Sequence, residues 1–196
     1  MSVTIERVVG AAITRVIPDL AGLRIAVFRE WPYLYEGSHA YEEKFLATYA
    51  DSPVGLVVIA RDGERVVGAS TALPLAQNSD EVVAPLVAAG YAPGDVCYYG
   101  ESVLDPAYRG RGLGNAFFVE REGHARAYGF RVATFCAVER PVDHPARPPA
   151  YRPLDGLWAR HGFLKRPEIT TSFAWQDLGD ADETAKSMVF WTKELR

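Results

Sequence analysis

The sequence predicts an α/β fold with one mixed, largely antiparallel sheet and a parallel strand–helix–strand unit at its centre. The run at 131–138 is almost entirely apolar, which is typical of a strand buried on both faces of a parallel sheet. A strand-like run at Val96–Leu104 and a helical pattern at 112–128 precede it, in the order of a parallel crossover. Two other strand-like runs flank Asp62-Gly63, a pair that favours an antiparallel hairpin.

The N-terminal half adds a strand and two helices ahead of that hairpin. Thr4–Val9 has the composition of a first strand. Residues 18–28 carry a proline in the first helical turn, and residues 39–50 have aromatic side chains four apart on one helical face. The hairpin strands are 55–60 and Arg65–Pro74. This half therefore predicts the order β-α-α-β-β.

The second half contains the crossover and a closing antiparallel pair. Residues 75–95 are interpreted as an insertion with a short helix at 79–89, which either covers a site or decorates the surface. After the crossover, 154–161 predict a short helix, and 169–176 and 187–192 predict the last two strands. No linker rich in Gly, Ser or Pro divides the chain, so all 196 residues are expected to form a single domain.

Composition and charge disfavour several classes of protein. The 21 Lys and Arg against 25 Asp and Glu give a formal net charge of −4, unlike a general nucleic-acid binder or a membrane-surface protein. The four histidines and two cysteines lack the spacing of metal ligands. The apolar runs are too short to span a membrane, and the N-terminal stretch carries charges that a signal peptide excludes. We expect a cytoplasmic protein without metal, nucleic-acid or membrane partners.

A glycine-rich turn connects Val96–Leu104 to the helix that follows. The segment from Tyr108 to Asn115 reads YRGRGLGN, and its glycines let the backbone approach a ligand closely. The first-turn N–H groups of a helix have no partner inside it and lie at the positive end of its dipole. Arg109 and Arg111 add positive charge. The turn predicts a phosphate or pyrophosphate site; the alternative is a glycine-rich turn that binds nothing.

The spacing of the glycines distinguishes between phosphate ligands. A dinucleotide fingerprint needs a third glycine where this chain has Asn115, and a P-loop needs Gly-Lys followed by Ser or Thr, which does not occur. The pattern that fits is Arg109, two residues, Gly112, one residue, Gly114. In this motif, and in the order of its predicted strands and helices, the chain resembles the GNAT superfamily of N-acetyltransferases.

The resemblance implies acetyl-CoA, or another acyl-CoA, as co-substrate. Backbone groups of Val103 and Leu104 would pair with the pantetheine arm. Asn115 would contact the cofactor from the helix, and Trp158 would contact it from the short helix that follows. Backbone N–H groups of the turn would bind the pyrophosphate, from Arg109, Gly110, Arg111, Gly112, Leu113 and Gly114.

Transfer of an acyl group to an amine requires a base, because an alkylamine with a pKa of about 10.4 is mostly protonated at neutral pH. Glu101 is the candidate, since a charged side chain in the middle of a strand is costly without a partner or a task. The resemblance favours the same strand, where many family members carry a basic carboxylate. The alternative is that Glu101 pairs with an arginine or faces solvent. A backbone N–H near Val103 and Leu104 would bind the developing oxyanion.

The chain departs from the family pattern at the general acid. Where the family usually has a tyrosine, four residues before a Gly-Phe pair, this chain has Trp158, which has no proton to give at neutral pH. Tyr151 is the candidate acid, and packing against the cofactor or core is its alternative role. His161 or solvent are further sources of the proton. Cys136 lies in an apolar run and is not expected to carry the acyl group, so direct transfer in a ternary complex is predicted.

The acceptor is the least constrained part of the prediction. Trp31, Tyr33 and Tyr35 are candidates for an aromatic wall that binds an amine or its stem, with core packing or an oligomer contact as equal alternatives. We predict an N-acetyltransferase whose partner is a primary amine of a small molecule or a protein; proteins of this family are often dimers. The alternatives are an acyl-CoA-binding sensor without catalysis, which the tryptophan at position 158 leaves open, and a dinucleotide-binding oxidoreductase.

Overall fold

The computed structural model describes residues 3–195. Its strands are β1 (Thr4–Val9), β2 (Leu56–Asp62), β3 (Arg65–Pro74), β4 (Val96–Leu104), β5 (Val132–Val138), β6 (Leu164–Gln176) and β7 (Glu183–Glu194). Its α-helices are α1 (Ile17–Phe28), α2 (His39–Asp51), α3 (Asp80–Ala88), α4 (Leu113–Ala127) and α5 (Asp155–Arg160). The seven strands form one sheet in the order β1-β2-β3-β4-β5-β7-β6.

The predicted fold class and element order are confirmed, with β4 and β5 as the parallel pair of an otherwise antiparallel sheet. The largest difference lies in the last two strands: β6 begins earlier than the predicted 169 and ends at 176 as predicted, and β7 extends beyond the predicted 187–192 at both ends. β6 includes Pro167, close to a register irregularity between Arg166 and Thr170. A proline and charged residues argue against a central strand, but β6 is an edge strand, where a missing N–H donor is tolerated.

The helices cover both faces of the sheet. Buried side chains of α1 and α2 pack on one face, against residues of β2 and β3. Those of α4 pack on the other, where α5 also contributes partly buried residues. The aromatic face predicted for residues 39–50 is buried only in part: Tyr49 is buried and Phe45 half-buried, whereas Tyr41 is largely exposed, and α2 also buries Glu42 and Leu46. A charged residue therefore takes a position on the buried face of α2.

The segment between β3 and β4 packs against the sheet. Val82 and Leu86 of α3 are buried in a cluster with Ile169 and Trp175 of β6. The helix is one residue shorter at each end than the predicted 79–89, and it continues through Pro85. The predicted insertion thus contributes to the core through one face of its helix.

The parallel pair at the centre of the sheet is short. β4 and β5 pair only from Val96 with Val132 to Tyr98 with Thr134. Beyond Tyr98, β4 keeps β3 as its neighbour on one side and has no paired strand on the other among the described residues. An unpaired strand edge can bind an extended ligand through its backbone groups.

A β-bulge interrupts β4 just after the strands separate. Ser70 pairs with Ser102 and Ala72 with Tyr99, so Thr71 faces two residues of β4. Those residues are Gly100 and Glu101, and the Glu101 N–H donates to the Thr71 hydroxyl at 3.2 Å. A bulge redirects side chains and is common beside active sites.

Candidate active site

The glycine turn forms the start of α4 with a backbone that only glycine adopts readily. Gly110 and Gly112 have φ angles of +76° and +83°, and Gly112 is the N-terminal cap of the helix. A Cβ on either residue would touch nothing within 4 Å, so the requirement for glycine is conformational. The N–H groups of Leu113, Gly114 and Asn115 find no acceptor within residues 3–195, and they can bind an anion.

The two arginines of the turn are exposed and held by neighbouring groups. Arg109 contacts Glu30 at 2.8 Å and the Leu104 carbonyl at 3.3 Å. Arg111 donates to the Ala107 carbonyl at 2.9 Å. The turn is therefore a positively charged, solvent-facing site that adjoins the unpaired edge of β4.

Val103 and Leu104 lie on that edge, as the resemblance requires of residues that pair with an extended ligand. Both pair with β3 on the other side, through Ala69 and Gly68. Val103 is fully buried and Leu104 is half-buried.

A cleft of about 560 Å³, called here the first cleft, occupies the gap between β4 and β5. It brings together five of the residues singled out from the sequence. These are Trp31, Tyr33, Glu101, Tyr151 and Trp158.

Tyr151 and Trp158 lie at different parts of the wall of the first cleft. Tyr151 makes an edge contact with Trp31, with ring centres 5.9 Å apart, and burial raises the pKa of its phenol. Trp158 packs edge-on against Trp191 at 5.1 Å. Tyr151 is thus a protonated hydroxyl at neutral pH, and Trp158 is an apolar wall.

Glu101 is buried, with 6% of its side chain exposed, and it pairs with an arginine of α1. Arg24 Nη1 lies 2.6 Å from Glu101 Oε1, and Arg24 Nε contacts Glu42 Oε2 of α2. The guanidinium also lies over the rings of Phe28 and Phe45, at 5.0 and 4.6 Å. Burial acts to lower the pKa of Arg24, but the two carboxylates outweigh it and raise the pKa. We call Arg24, Glu42 and Glu101 the buried triad.

The buried triad carries a formal net charge of −1, since two carboxylates share one guanidinium. It borders a second cavity of about 500 Å³, lined by α1, α2, the start of α3 and β6. Tyr33 and Tyr35 line this second cavity, whereas Trp31 lines only the first cleft. Glu101 lines both, so this residue lies in the wall between the two spaces.

The bulge that positions Glu101 requires a glycine at position 100, because the surrounding residues leave no room for a side chain there. A Cβ there would lie 2.2 Å from the Tyr49 hydroxyl and 2.4 Å from Thr71 Oγ1. Tyr49 and Thr71 are both buried, so neither can move aside easily.

We expect Gly100→Ala to lower the free energy of unfolding by about 1–3 kcal/mol, the usual effect of overpacking a core. Gly94→Ala is the control, since that glycine is exposed and its Cβ would meet nothing within 4 Å. Urea denaturation of both variants measures the difference. Equal stabilities for the two variants would contradict the steric role of Gly100.

Arg121 is a second buried arginine, on α4 behind the first cleft. Its guanidinium stacks on Tyr99 and Phe118, at 4.5 and 4.7 Å, and Nη1 donates to the Glu101 carbonyl at 3.4 Å. Burial lowers its pKa to about 10. Among the described residues, no carboxylate forms an ion pair with it. It places positive charge next to the bulge.

Two residues considered in the sequence analysis, one as a proton donor and one as an acyl carrier, have surroundings that do not suit those roles. His161 lines neither space; its Nε2 lies 2.9 Å from Asn115 Oδ1 and its ring stacks on Phe118. Burial lowers the pKa of His161. Cys136 does line both spaces, but burial raises the pKa of its thiol to about 12. A protonated thiol is a weak nucleophile.

Residues 3–195 contain no cluster of three or more His, Cys, Asp or Glu side chains that could hold a metal ion. Within the same range, no helix has the length and apolarity needed to cross a membrane.

Sequence reasoning missed Arg24, Glu42 and the second cavity. A signal was present for the two charged residues, since each interrupts the apolar positions of its helix. Such an interruption indicates that a charge is buried but does not identify its partner. Gly100 gave only an ambiguous signal, because a glycine inside a strand can mark a bulge, a bend or the close approach of another group.

The family model described as acetyltransferase (GNAT) family matches residues 7–163. This range extends from β1 through α5 and includes the glycine turn and the bulge in β4. No curated protein is similar enough in sequence to count as a relative.

Many solved structures share the fold at low sequence identity. An N-acetyltransferase from Staphylococcus aureus Mu50 aligns over 100% of both chains, with 11% identity and a TM-score of 0.64. A ribosomal-protein-alanine N-acetyltransferase from Brucella melitensis aligns over 98% of this chain and 99% of its own, with 14% identity and a TM-score of 0.63. The protein yncA from Salmonella typhimurium, solved with acetyl-CoA, aligns over 100% and 95%, with 14% identity and a TM-score of 0.63.

Proposed function

Because this chain belongs to the GNAT acetyltransferase family, we propose that it moves an acetyl group from acetyl-CoA directly to a primary amine. One observation carries the proposal: Glu101 borders both the first cleft and the second cavity. In this arrangement the thioester occupies one space and the amine reaches it from the other. The two substrates then meet beside a carboxylate in a ternary complex.

The cofactor is expected to lie along three features already described. The free N–H groups at the start of α4 bind its pyrophosphate. The unpaired edge of β4, at Val103 and Leu104, pairs with the amides of its pantetheine arm. The thioester then lies in the first cleft, near Glu101 and Tyr151. The acetyl-CoA bound to yncA supports this class of co-substrate.

In the transfer itself, the amine nitrogen attacks the thioester carbonyl carbon, the new C–N bond forms and the C–S bond breaks. The proton that the amine loses goes to Glu101, directly or through one water. A backbone N–H at the β4 edge stabilises the oxyanion. CoA leaves as a thiolate and takes a proton from Tyr151, which regains one from solvent. The products are the N-acetylamine and CoA.

The Cys136 thiol is not required. With a pKa raised to about 12 and its Sγ 3.2 Å from the Tyr98 hydroxyl, it remains protonated near neutral pH. Its state favours direct transfer over an acyl-cysteine intermediate.

A thermal-shift comparison of acetyl-CoA, CoA and NADPH tests the cofactor class first. A ligand at about 100 times its dissociation constant adds about 2.7 kcal/mol, or roughly 5–10 °C for a chain of this size. We expect a shift with acetyl-CoA and CoA but not with NADPH. Release of free thiol from acetyl-CoA in the presence of amines then tests transfer. Binding without transfer to any amine would indicate a sensor, and a shift with NADPH alone would overturn the proposal.

A further inference from the structure

We infer that the second cavity binds the acceptor, and that the acceptor is a small primary amine on an aromatic stem that carries no carboxylate. This inference rests on the proposed function and makes it specific. Three properties of the second cavity support the inference: its lining residues, its charge and its volume.

The lining of the second cavity is rich in aromatic side chains. Nine of its residues are aromatic: Phe28, Tyr33, Tyr35, Tyr41, Phe45, Tyr49, Tyr98, Phe173 and Trp175. They come from α1, α2, β4, β6 and the segment between the first two helices, so the rings surround the space. Aromatic side chains pack best against a flat apolar group, by stacked or edge contacts. A volume of about 500 Å³ is that of a small-molecule site.

The charge of the second cavity favours a cation. Arg24 is the one lysine or arginine among its lining residues, and its guanidinium already pairs with Glu42 and Glu101. Glu42 is fully buried, and among the described residues its Oε1 accepts no hydrogen bond of good geometry, although the carboxylate interacts with the Tyr35 hydroxyl and helps to raise the pKa of that phenol. A buried carboxylate oxygen without a donor is costly. One ammonium group would bring a positive charge and well-placed donors to this carboxylate together.

The same charges disfavour an amino acid as acceptor. A carboxylate on the substrate would lie near Glu42 and Glu101, and the cavity lining offers no second cation to pair with it. Glu81, exposed at the cavity edge, adds another negative charge. A polyamine is disfavoured for a different reason, because its additional ammonium groups would lie among rings and outnumber the single net negative charge of the buried triad.

Four amines at matched concentrations test the inference on the unmodified protein. These are 2-phenylethylamine, L-phenylalanine, n-hexylamine and spermidine, each assayed for thiol release from acetyl-CoA. We expect kcat/KM for 2-phenylethylamine to exceed that for phenylalanine by about 100-fold, because like charges in contact are strongly unfavourable. It should exceed the values for hexylamine and spermidine by roughly fivefold, through ring contacts.

A variant pair tests the role of the buried triad in binding the amine. Glu42→Gln should weaken binding of 2-phenylethylamine to the CoA-saturated protein by about tenfold and leave the dissociation constant of acetyl-CoA unchanged. Glu43→Gln is the matched control, because Glu43 is the adjacent, exposed carboxylate of α2, and it should bind the amine as the parent does. Calorimetric titration gives both constants.

The possible results separate this inference from the proposed function. If phenylalanine, hexylamine or spermidine is acetylated as well as 2-phenylethylamine, the protein is an acetyltransferase but the inferred acceptor class is wrong. If Glu42→Gln and Glu43→Gln bind the amine equally, the buried triad does not bind it. If acetyl-CoA binds but none of the four amines binds or is acetylated, the inferred acceptor class is overturned, while the proposed function falls only if a wider set of small-molecule and protein amines also yields no thiol release.

Discussion

Glu101→Gln is expected to slow acetyl transfer at pH 7 by at least about 100-fold, the usual contribution of a positioned general base. The substitution keeps the size of the side chain but removes the group that accepts the proton. The affinity for CoA should not change, because the cofactor is expected to bind through the glycine turn and the β4 edge. Rates under saturating acetyl-CoA and a CoA titration measure the two effects separately.

The rate deficit of Glu101→Gln should also depend on pH. An alkylamine with a pKa of about 10.4 exists increasingly as the free base as the pH rises, so the need for a proton acceptor falls. We expect the deficit to be largest at pH 7 and to shrink towards pH 10. Glu43→Gln, on the exposed side of α2, should match the parent throughout. A variant that keeps near-parental rates at pH 7 would exclude Glu101 as the base.

Arg24→Met is expected to lower the free energy of unfolding by about 3–5 kcal/mol, the effect of removing one partner from a buried ion pair. Glu42 and Glu101 are both buried and would be left without a compensating charge. The matched control is Arg29→Met, because Arg29 directly follows α1 and pairs with Glu36 in an exposed ion pair. That control should lose no more than about 1 kcal/mol. Urea denaturation at pH 7 compares the two.

The pH dependence of Arg24→Met follows from the same physics. Unpaired buried carboxylates have raised pKa values in the folded state, so the folded variant binds more protons than its unfolded chain. Its stability should therefore fall as the pH rises through those values, and the deficit relative to the parent should be smaller at pH 5 than at pH 7. Equal losses in Arg24→Met and Arg29→Met at pH 7 would show that the buried triad is not an energetic unit.

The glycine-rich turn and the central strands could be predicted because their signals are local. Gly110 and Gly112 require a left-handed backbone, and a glycine-rich turn between a strand and a helix is visible in a few consecutive residues. The apolar run at 131–138 likewise indicates a doubly buried strand without knowledge of its neighbours. The edge strand β6 was harder to delimit, since edge strands tolerate the proline and charges that central strands exclude.

The sequence by itself determined the order of strands and helices, the family and the glycine-rich turn before α4, because periodicity and turn chemistry act over short stretches of chain. The tertiary structure alone decided that Arg24 meets Glu42 and Glu101, that a bulge at Gly100 aims Glu101 towards α1, and that nine aromatic residues surround one space. These contacts join α1, α2, β4 and β6, which are far apart in the chain. Their partners are selected by strand register and helix packing, and neither is encoded in any single segment.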